Sequence, residues 1–456
     1  MKFNKIKLGD VVQELVSGDW GKEAAENAFA IETYCIRGAD INKVNQGKYD
    51  KLPKRFVKQK HNKSQFLKKE DLIIEISGGS PTQSTGRIAF VSNDLIYEKP
   101  IICSNFCRGI RIKSSYDAKY IYYVLQQTYK SGVFFNFEGK TTGIKNLDLD
   151  ACLENILIPD IDYSLQCQIS SVLSVLDSKI ILNNELNSEF KAISETLYHY
   201  WFEQFDFPND KGKPYRESGG KMVFNEKLKR NIPKHWDVKA LEYFLCESKN
   251  GDWGKDSSEG NYNLKVKCIR GTDINGINGR DELKAPTRYI LEKNEHKILK
   301  ANDLIIEISG GSPTQSTGRL ACITTEVAER FENPLICSNF CKAASLISEN
   351  VVCYFTHSWN RAYDNGVFFG FEGKTSGIKN LLFDSLVSHY YLPLPPDDLL
   401  ERFQEKISVF EKQKQTNLKQ NQELASIRDW LSPMLMNGQV TIKDLQGDQK
   451  LSLVAQ

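Results

Sequence analysis

The sequence predicts an α+β fold: two homologous globular domains separated by two long helices, the helices packed as an antiparallel coiled coil with pseudo-two-fold symmetry. Three observations predict it. The sixteen residues LIIEISGGSPTQSTGR run from Leu72 to Arg87 and again, unchanged, from Leu304 to Arg319. Around them further segments recur at an offset of 232 to 234 residues, so the repeat is a duplicated domain and not a short-period solenoid. Each copy is followed by a stretch whose apolar residues fall three and four apart, the mark of a helix with one apolar face.

The boundaries follow from these patterns: a first globular domain at 1–160, a long helix at 161–205, a connector at 206–235, a second globular domain at 236–396, a distal helix at 397–437 and a tail at 438–456. GDWGK at Gly18 recurs at Gly251, and CIRGADIN at Cys35 becomes CIRGTDIN at Cys268. ICSNFC at Ile102 recurs at Ile336, and GVFFNFEGKTTGIKNL at Gly132 becomes GVFFGFEGKTSGIKNL at Gly366. Within each copy, DLIIEIS and GRIAFV read as buried strands with Gly-rich turns between them, and AKYIYYVLQQTYKSG reads as a helix. A mostly antiparallel or mixed sheet is expected.

The first long helix carries Leu165, Ile169, Val172, Leu176, Leu186, Phe190, Ile193, Leu197 and Tyr200 on its seam, with Lys179 and Asn183 at two heptad positions. About 40 residues of helix make a rod of about 60 Å. The second repeats the pattern with Phe403, Ile407, Phe410, Leu424, Ile427 and Leu431. Asn417 stands 234 residues after Asn183. A buried asparagine on a helical seam fixes register at some cost in stability, and the two equivalent residues are expected to do so. Proline and aspartate in LIPDIDYS and LPLPPDD end a strand and open each helix. FDFPNDKGKPYRESGGKM, rich in Gly, Pro and charge, reads as a surface connector.

Composition sets bounds. The 456 residues exceed a single core, and a net charge of +2 leaves no global electrostatic argument for a polyanionic partner. No run of eighteen apolar residues and no apolar leader are seen, so no membrane span is expected and a cytoplasmic location is. The 11 cysteines contain no C-x-x-C pair and are read as reduced thiols. Cys103 with Cys107, and Cys337 with Cys341, are read as small apolar residues rather than metal ligands; no metal site is expected.

Two similar heads on an antiparallel helix pair suit a long ligand that is itself two-fold symmetric, and duplex DNA is one. Candidate contacts come from the repeated polar loops. GGSPTQSTGR offers Gln83, Ser84, Thr85 and Arg87, matched by Gln315, Ser316, Thr317 and Arg319. Gln suits adenine and Arg suits guanine, while Ser and Thr suit phosphates or bases. EGKTTGIKN offers Lys140, Thr141, Thr142 and Lys145, matched by Lys374, Thr375, Ser376 and Lys379, as phosphate grips. GDWGK sets Trp20 beside Lys22 and Trp253 beside Lys255. A tight turn or a core tryptophan is the alternative for each.

Catalytic signals are few. There is no G-x-x-x-x-G-K-[ST] loop, and Asp71 with Glu75, repeated as Asp303 with Glu307, lacks the lysine two residues on that a nuclease would need, since Ser77 and Ser309 stand there. No catalytic residue is assigned.

The chain resembles the specificity subunits of type I restriction–modification enzymes. ILIPDIDYSLQCQISSVLSVLDSKIILNNELN is similar to that family's central spacer, YHYWFEQFDFP with NIPKHWDVKAL to its junction into the second recognition domain, and ELASIRDWLSPMLMNGQV to its closing helix. The resemblance implies that each globular copy is a target-recognition domain for one half of a split site in double-stranded DNA. It implies helices that set the unread spacer and dock two modification subunits, with restriction subunits completing the complex. It implies no cofactor in this chain, since S-adenosylmethionine, ATP and Mg would belong to the partners. Because the two domains here are close relatives, the halves are expected to be similar and inverted. The alternatives are a non-catalytic protein-binding scaffold with two equivalent heads and, further off, a stand-alone nuclease. Divergent stretches, Lys58–Lys69 against Glu292–Ala301 and Arg108–Lys113 against Lys342–Ile347, are where the bases read could differ.

Overall fold

A computed structural model describes residues 3–49, 51–58, 65–78, 83–92, 95, 99–141, 144–312, 314–375 and 378–442. The chain forms two compact units: Met1–Leu182 with Asn421–Gln456, and Asn183–Gln420. Each unit therefore holds one globular copy and one half of each long helix.

The first copy opens with β1 (Asn4–Lys7), α1 (Leu8–Val11), β2 (Val12–Ser17), β3 (Phe29–Ile36), α2 (Ile41–Val44), β4 (Lys54–Lys58) and β5 (Leu72–Glu75). It continues with β6 (Ser77–Gly78), β7 (Ile88–Phe90), β8 (Ile101–Cys103), β9 (Cys107–Ile112), α3 (Ala118–Lys130), β10 (Glu138–Thr141), β11 (Ile144–Leu147), α4 (Leu149–Asn155) and β12 (Leu157–Asp160). The main sheet runs β2-β9-β5-β7 and is antiparallel throughout. A second sheet runs β4-β3-β8, with β3 and β8 parallel, Cys35 opposite Ile102. The mixed sheet expected from the sequence is thus present.

β5 explains why the two sheets hold together. All four of its residues are buried. Side chains alternate across a strand, so Leu72 and Ile74 enter the cluster under α3 while Ile73 enters the cluster between the sheets with Ile36 and Ala89. An uninterrupted apolar run is what a strand covered on both faces requires. α3 begins where the Asp117 carboxylate accepts the Tyr120 N–H at 2.6 Å. It ends at Gly132, whose φ of 73° only glycine adopts without strain.

The second unit repeats this order. After the hairpin β13 (Met222–Asn225) and β14 (Arg230–Pro233) come β15 (Asp237–Ala240), β16 (Leu245–Asn250), β17 (Tyr262–Ile269), α5 (Asp273–Ile277), β18 (Thr287–Leu291), β19 (Asp303–Glu307) and β20 (Ser309–Gly310). Then follow β21 (Leu320–Ile323), α6 (Thr325–Ala328), β22 (Leu335–Cys337), β23 (Cys341–Leu346), α7 (Val352–Asp364), β24 (Glu372–Thr375), β25 (Ile378–Leu381), α8 (Phe383–His389) and β26 (Tyr391–Leu394). The sheets β16-β23-β19-β21 and β18-β17-β22 match those of the first unit strand for strand. The segment read as a surface connector holds more than loop: Ile232 is buried in the main core of this unit with Phe205 and Trp236 at its two ends, and Phe207 stacks between Tyr215 and Trp236.

The long helices are Tyr163–Tyr198, closed by a π turn over His199–Glu203, and Asp397–Met436. Within each unit their halves pack antiparallel. In the second unit Asn183 meets Gln420, Asn187 meets Asn417, Phe190 stacks on Phe410 and Tyr198 packs edge-on to Phe403. In the first, Asp177 meets Arg428, and Ile169 and Leu173 share a core with Leu431 and Leu435.

The buried stripe differs from the expected seam. Leu186, Ile193 and Tyr200 are exposed, and Ile427 is 36% exposed, whereas Gln166, Leu173, Ser194 and Tyr198 are buried. The reason is that each helix half buries one face against its partner helix and the adjoining globular copy together, which rotates the stripe away from a two-helix heptad. Tyr198 shows this, its hydroxyl 2.9 Å from Ser358 Oγ on α7. By length and composition the helix at Tyr163–Glu203 is apolar enough to cross a membrane, a property the expectation of no span did not register because polar residues interrupt the run.

Asn183 and Asn417 are both buried on the stripe. Asn183 Nδ2 donates to Gln420 Oε1 at 2.8 Å and Asn417 Nδ2 to Asn187 Oδ1 at 2.9 Å. Sliding the helices would take these partners away from the buried Asn183 and Asn417 amides, so the pairs favour one register.

Candidate nucleic-acid interface

In the second unit a groove opens where five turns converge. Its walls come from the turn after β17 (Arg270 to Thr272), the β19–β20 turn and the Gly-rich loop beyond it, the β22–β23 turn (Asn339, Phe340), the 3-10 helix Val367–Phe371, and the β24–β25 hairpin. The first unit brings the equivalent turns together: β6 pairs with β11, Lys145 opposite Gly78, as β20 pairs with β25, Lys379 opposite Gly310.

The floor is charged but internally neutral. Arg87 grips Glu75 with both arms, Nε to Oε2 at 2.8 Å and Nη2 to Oε1 at 2.5 Å. Arg319 grips Glu307 at 2.9 and 2.6 Å. The hydrogen bond to its glutamate raises each guanidinium above its ordinary value, so both stay charged. Lys145 sits 3.0 Å from Glu138 and Lys379 3.0 Å from Glu372. The same glutamates accept the backbone N–H of Thr85 at 2.6 Å and of Thr317 at 2.8 Å. Gly38 and Gly271 let the chain pass over this floor, since a Cβ there would lie 2.5 Å from Glu75 Oε1 or 2.7 Å from Glu307 Oε1.

This geometry corrects several sequence assignments. Arg87 and Arg319 are not free to fork a guanine, because each spends its paired donors on a buried carboxylate. Lys145 and Lys379 are tied to Glu138 and Glu372 and also donate to the carbonyls of Gln83 and Gln315, so they brace the Gly-rich loop instead of reaching for phosphate. Ser84, Thr85, Ser316 and Thr317 are buried. Trp20 and Trp253 lie beneath Arg55 and Arg288, whose guanidinium carbons stand 3.8 and 4.2 Å from the ring centroids. Lys22 and Lys255 are exposed but paired within a turn to Glu26 and Glu259, at 2.5 and 3.0 Å. Gln83 and Gln315 are exposed at the groove mouth, as a reading residue must be. Thr142 and Ser376 lie outside the described residues, as do the side chains of Lys140, Thr141, Lys374 and Thr375. Asp71, weighed as a nuclease ligand, is held by Arg111 at 2.8 Å.

Three pairs of residues went unremarked in the sequence reading. Phe106 and Phe340 are 56% and 57% exposed, Phe135 and Phe369 45% and 47%, and Ile144 and Ile378 both 49%. Large apolar side chains left open at the same three places in both copies form a surface, not scatter. Arg37 and Arg270 join them, half-exposed while braced by Asp40 and Asp273. All lie inside the repeated motifs ICSNFC, GVFF, TGIKNL and CIRG; the signal was their presence in both copies, which composition alone did not separate from core positions. Cys103, Cys107, Cys337 and Cys341 are in the cores between the sheets, where burial pushes the first three thiols up to about 12 and the fourth likewise upward.

Of the seventeen residues lining the groove of the second unit, sixteen have an identical residue at the equivalent first-copy position, Thr272 facing Ala39 being the exception. By contrast α3 and α7 share two of thirteen residues, Tyr120 with Tyr354 and Tyr129 with Tyr363. The groove has therefore been kept while the scaffold beneath it changed.

Comparison with known proteins accords with this architecture. Residues 2–192 match the family model for the type I restriction modification DNA specificity domain. The second copy repeats the first motif for motif. It is 23% identical over 358 residues to the type I restriction enzyme MjaIX specificity subunit of Methanocaldococcus jannaschii, covering 77% of this chain and 75% of that protein. Its fold is similar to that of the type I S subunit from M. genitalium, with a TM-score of 0.56 at 15% identity over 96% of both chains.

Proposed function

We propose that the two grooves each read one half of a bipartite DNA site and that the halves are inverted copies of one another wherever the groove makes the contact. The chain is a DNA-recognition component without catalysis of its own. One observation carries the palindromic reading: the groove is the same in both copies to within a single residue, Ala39 against Thr272, while α3 and α7 share only two of thirteen residues. Gln83 and Gln315 would supply base-edge hydrogen bonds, and Phe106 and Phe340 apolar contact with bases. The helices would set the spacer and dock modification subunits, with restriction subunits joining them in the cytoplasm. S-adenosylmethionine, ATP and Mg would be bound by those partners.

The test is a methylation map of a host expressing this chain with its modification subunits. A split motif with identical inverted halves is expected; unlike halves would overturn the palindromic reading. Gln83→Ala and Gln315→Ala should relax the same position in opposite halves, each by about 1–3 kcal/mol. The exposed phenylalanines also suit a protein partner, which is the competing reading. DNA affinity that falls steeply with salt supports phosphate contact, and salt-insensitive capture of a protein would favour the scaffold.

A further inference from the structure

We propose that the second unit holds a binding site for a neutral aromatic molecule of one or two rings, in a partly open cavity of about 530 Å³ lined by α7, β21 and its own halves of the two long helices. That volume is in the range of small-molecule sites, roughly 300–1,000 Å³. Its chemistry follows from comparing the two copies. In the first, Phe90 and Tyr122 pack at 5.8 Å and Tyr122 meets Tyr123 at 5.1 Å, so aromatic rings fill the space beside the helix. In the second, the equivalent positions are Cys322, Thr356 and His357, all of which line the cavity. Two of the three rings are absent, at Cys322 and Thr356, and only His357 keeps one.

What remains suits a ring of the same kind. Tyr198 stacks on His357 with centroids 5.6 Å apart, which makes an aromatic wall. Cys322 and Cys353 add sulfur, which packs well against aromatic faces and edges. Most charges around the cavity are matched: Lys414 with Glu411 at 2.8 Å, Lys191 with Glu195 at 3.2 Å, Lys412 with Glu326 at 3.6 Å and Arg361 with Glu203 at 2.8 Å; Arg280 and Asp364 also line it, one of each sign, so the lining carries no net charge. A lining without net charge, most of it spent in pairs, favours a neutral ligand. Asn360 and Gln404 in the lining offer amides to a polar edge such as a phenol hydroxyl.

The probe is 2-naphthol, whose fused rings and hydroxyl stand in for the missing phenylalanine and tyrosine, titrated by its fluorescence into the full-length chain. Saturable binding with a Kd of about 1 mM or tighter is expected. Restoring the first copy's residues with the double substitution Cys322→Phe and Thr356→Tyr should weaken it by about tenfold or more. No saturable change with the wild-type chain, or equal affinity in the filled variant, would overturn the site. Should the double variant not fold, Thr356→Tyr alone carries the same comparison.

Discussion

The first and second copies solve the same problem with different residues in the sheet and with the same residues in the groove. In the first, Arg111 on β9 neutralises Asp71 and reaches Glu14, and it also donates to the Phe66 carbonyl. In the second, Ser345 stands at the Arg111 position and the cation has moved to Lys249 on β16, where the first copy has Val16. Lys249 Nζ lies 3.8 Å from Asp303 and 3.7 Å from Glu247, and it is buried with no hydrogen-bond partner. The buried aspartate is kept and its counter-ion is interchangeable. At the groove floor neither partner has moved: Glu75 with Arg87 is matched by Glu307 with Arg319. A sheet needs charge balance from any direction, whereas the floor must also hold a loop at a fixed height, and that demands one geometry.

The largest effect should come from breaking that floor. Glu75→Ala or Glu307→Ala leaves a buried guanidinium without its carboxylate and should cost about 3–5 kcal/mol of stability, read from denaturant midpoints. Equal losses in the two copies would support the view that the floors are interchangeable; a loss confined to one would break it. Next, Arg111→Ser should destabilise the first unit by about 3 kcal/mol, since it leaves Asp71 charged in the sheet. Lys249→Val should cost less than about 1 kcal/mol, because Asp303 keeps the Ser345 hydroxyl at 2.6 Å and the Lys300 N–H at 2.8 Å while an unsatisfied ammonium is removed. A Lys249→Val loss as large as that of Arg111→Ser would show that the two arrangements are not unequal.

Smaller effects test the helices. Asn183→Ala should cost about 0.5–1.5 kcal/mol, since Gln420 is exposed and water can take the place of the lost partner, and Asn417→Ala should match it if both set register. The smallest effect is one of pH. Burial holds the His357 imidazole below its ordinary value of 6.5, so it is neutral in the fold and protonates more readily once unfolded. Stability should therefore fall as pH drops below about 6.5, by no more than about 1.4 kcal/mol per pH unit, and His357→Tyr, the residue of the first copy, should flatten that slope in a denaturation series.

The repeat made much of this molecule legible without coordinates. Two equal heads, strands such as DLIIEIS and the two long helices were readable because side-chain period and exact recurrence are properties of a string. Asn183 and Asn417 could be picked out by their spacing alone. What the string could not carry is the direction of a side chain after the backbone turns. Arg87 and Phe106 lie in equally well-kept motifs, yet the arginine points down onto Glu75 and the phenylalanine points out, because the loop entering β7 turns one inward and the turn after β8 sends the other toward solvent. The helical stripe shifted for a similar reason: Ser194 is buried and Ile193 exposed because a third surface, the globular copy, competes for the helix face. Sequence by itself determined that the domain is duplicated, which elements it contains and which loops recur in both copies. Only the tertiary structure decided which residues of those loops are spent inside the fold and which are left to meet a ligand, since buried charges must find partners from elements far apart in the chain.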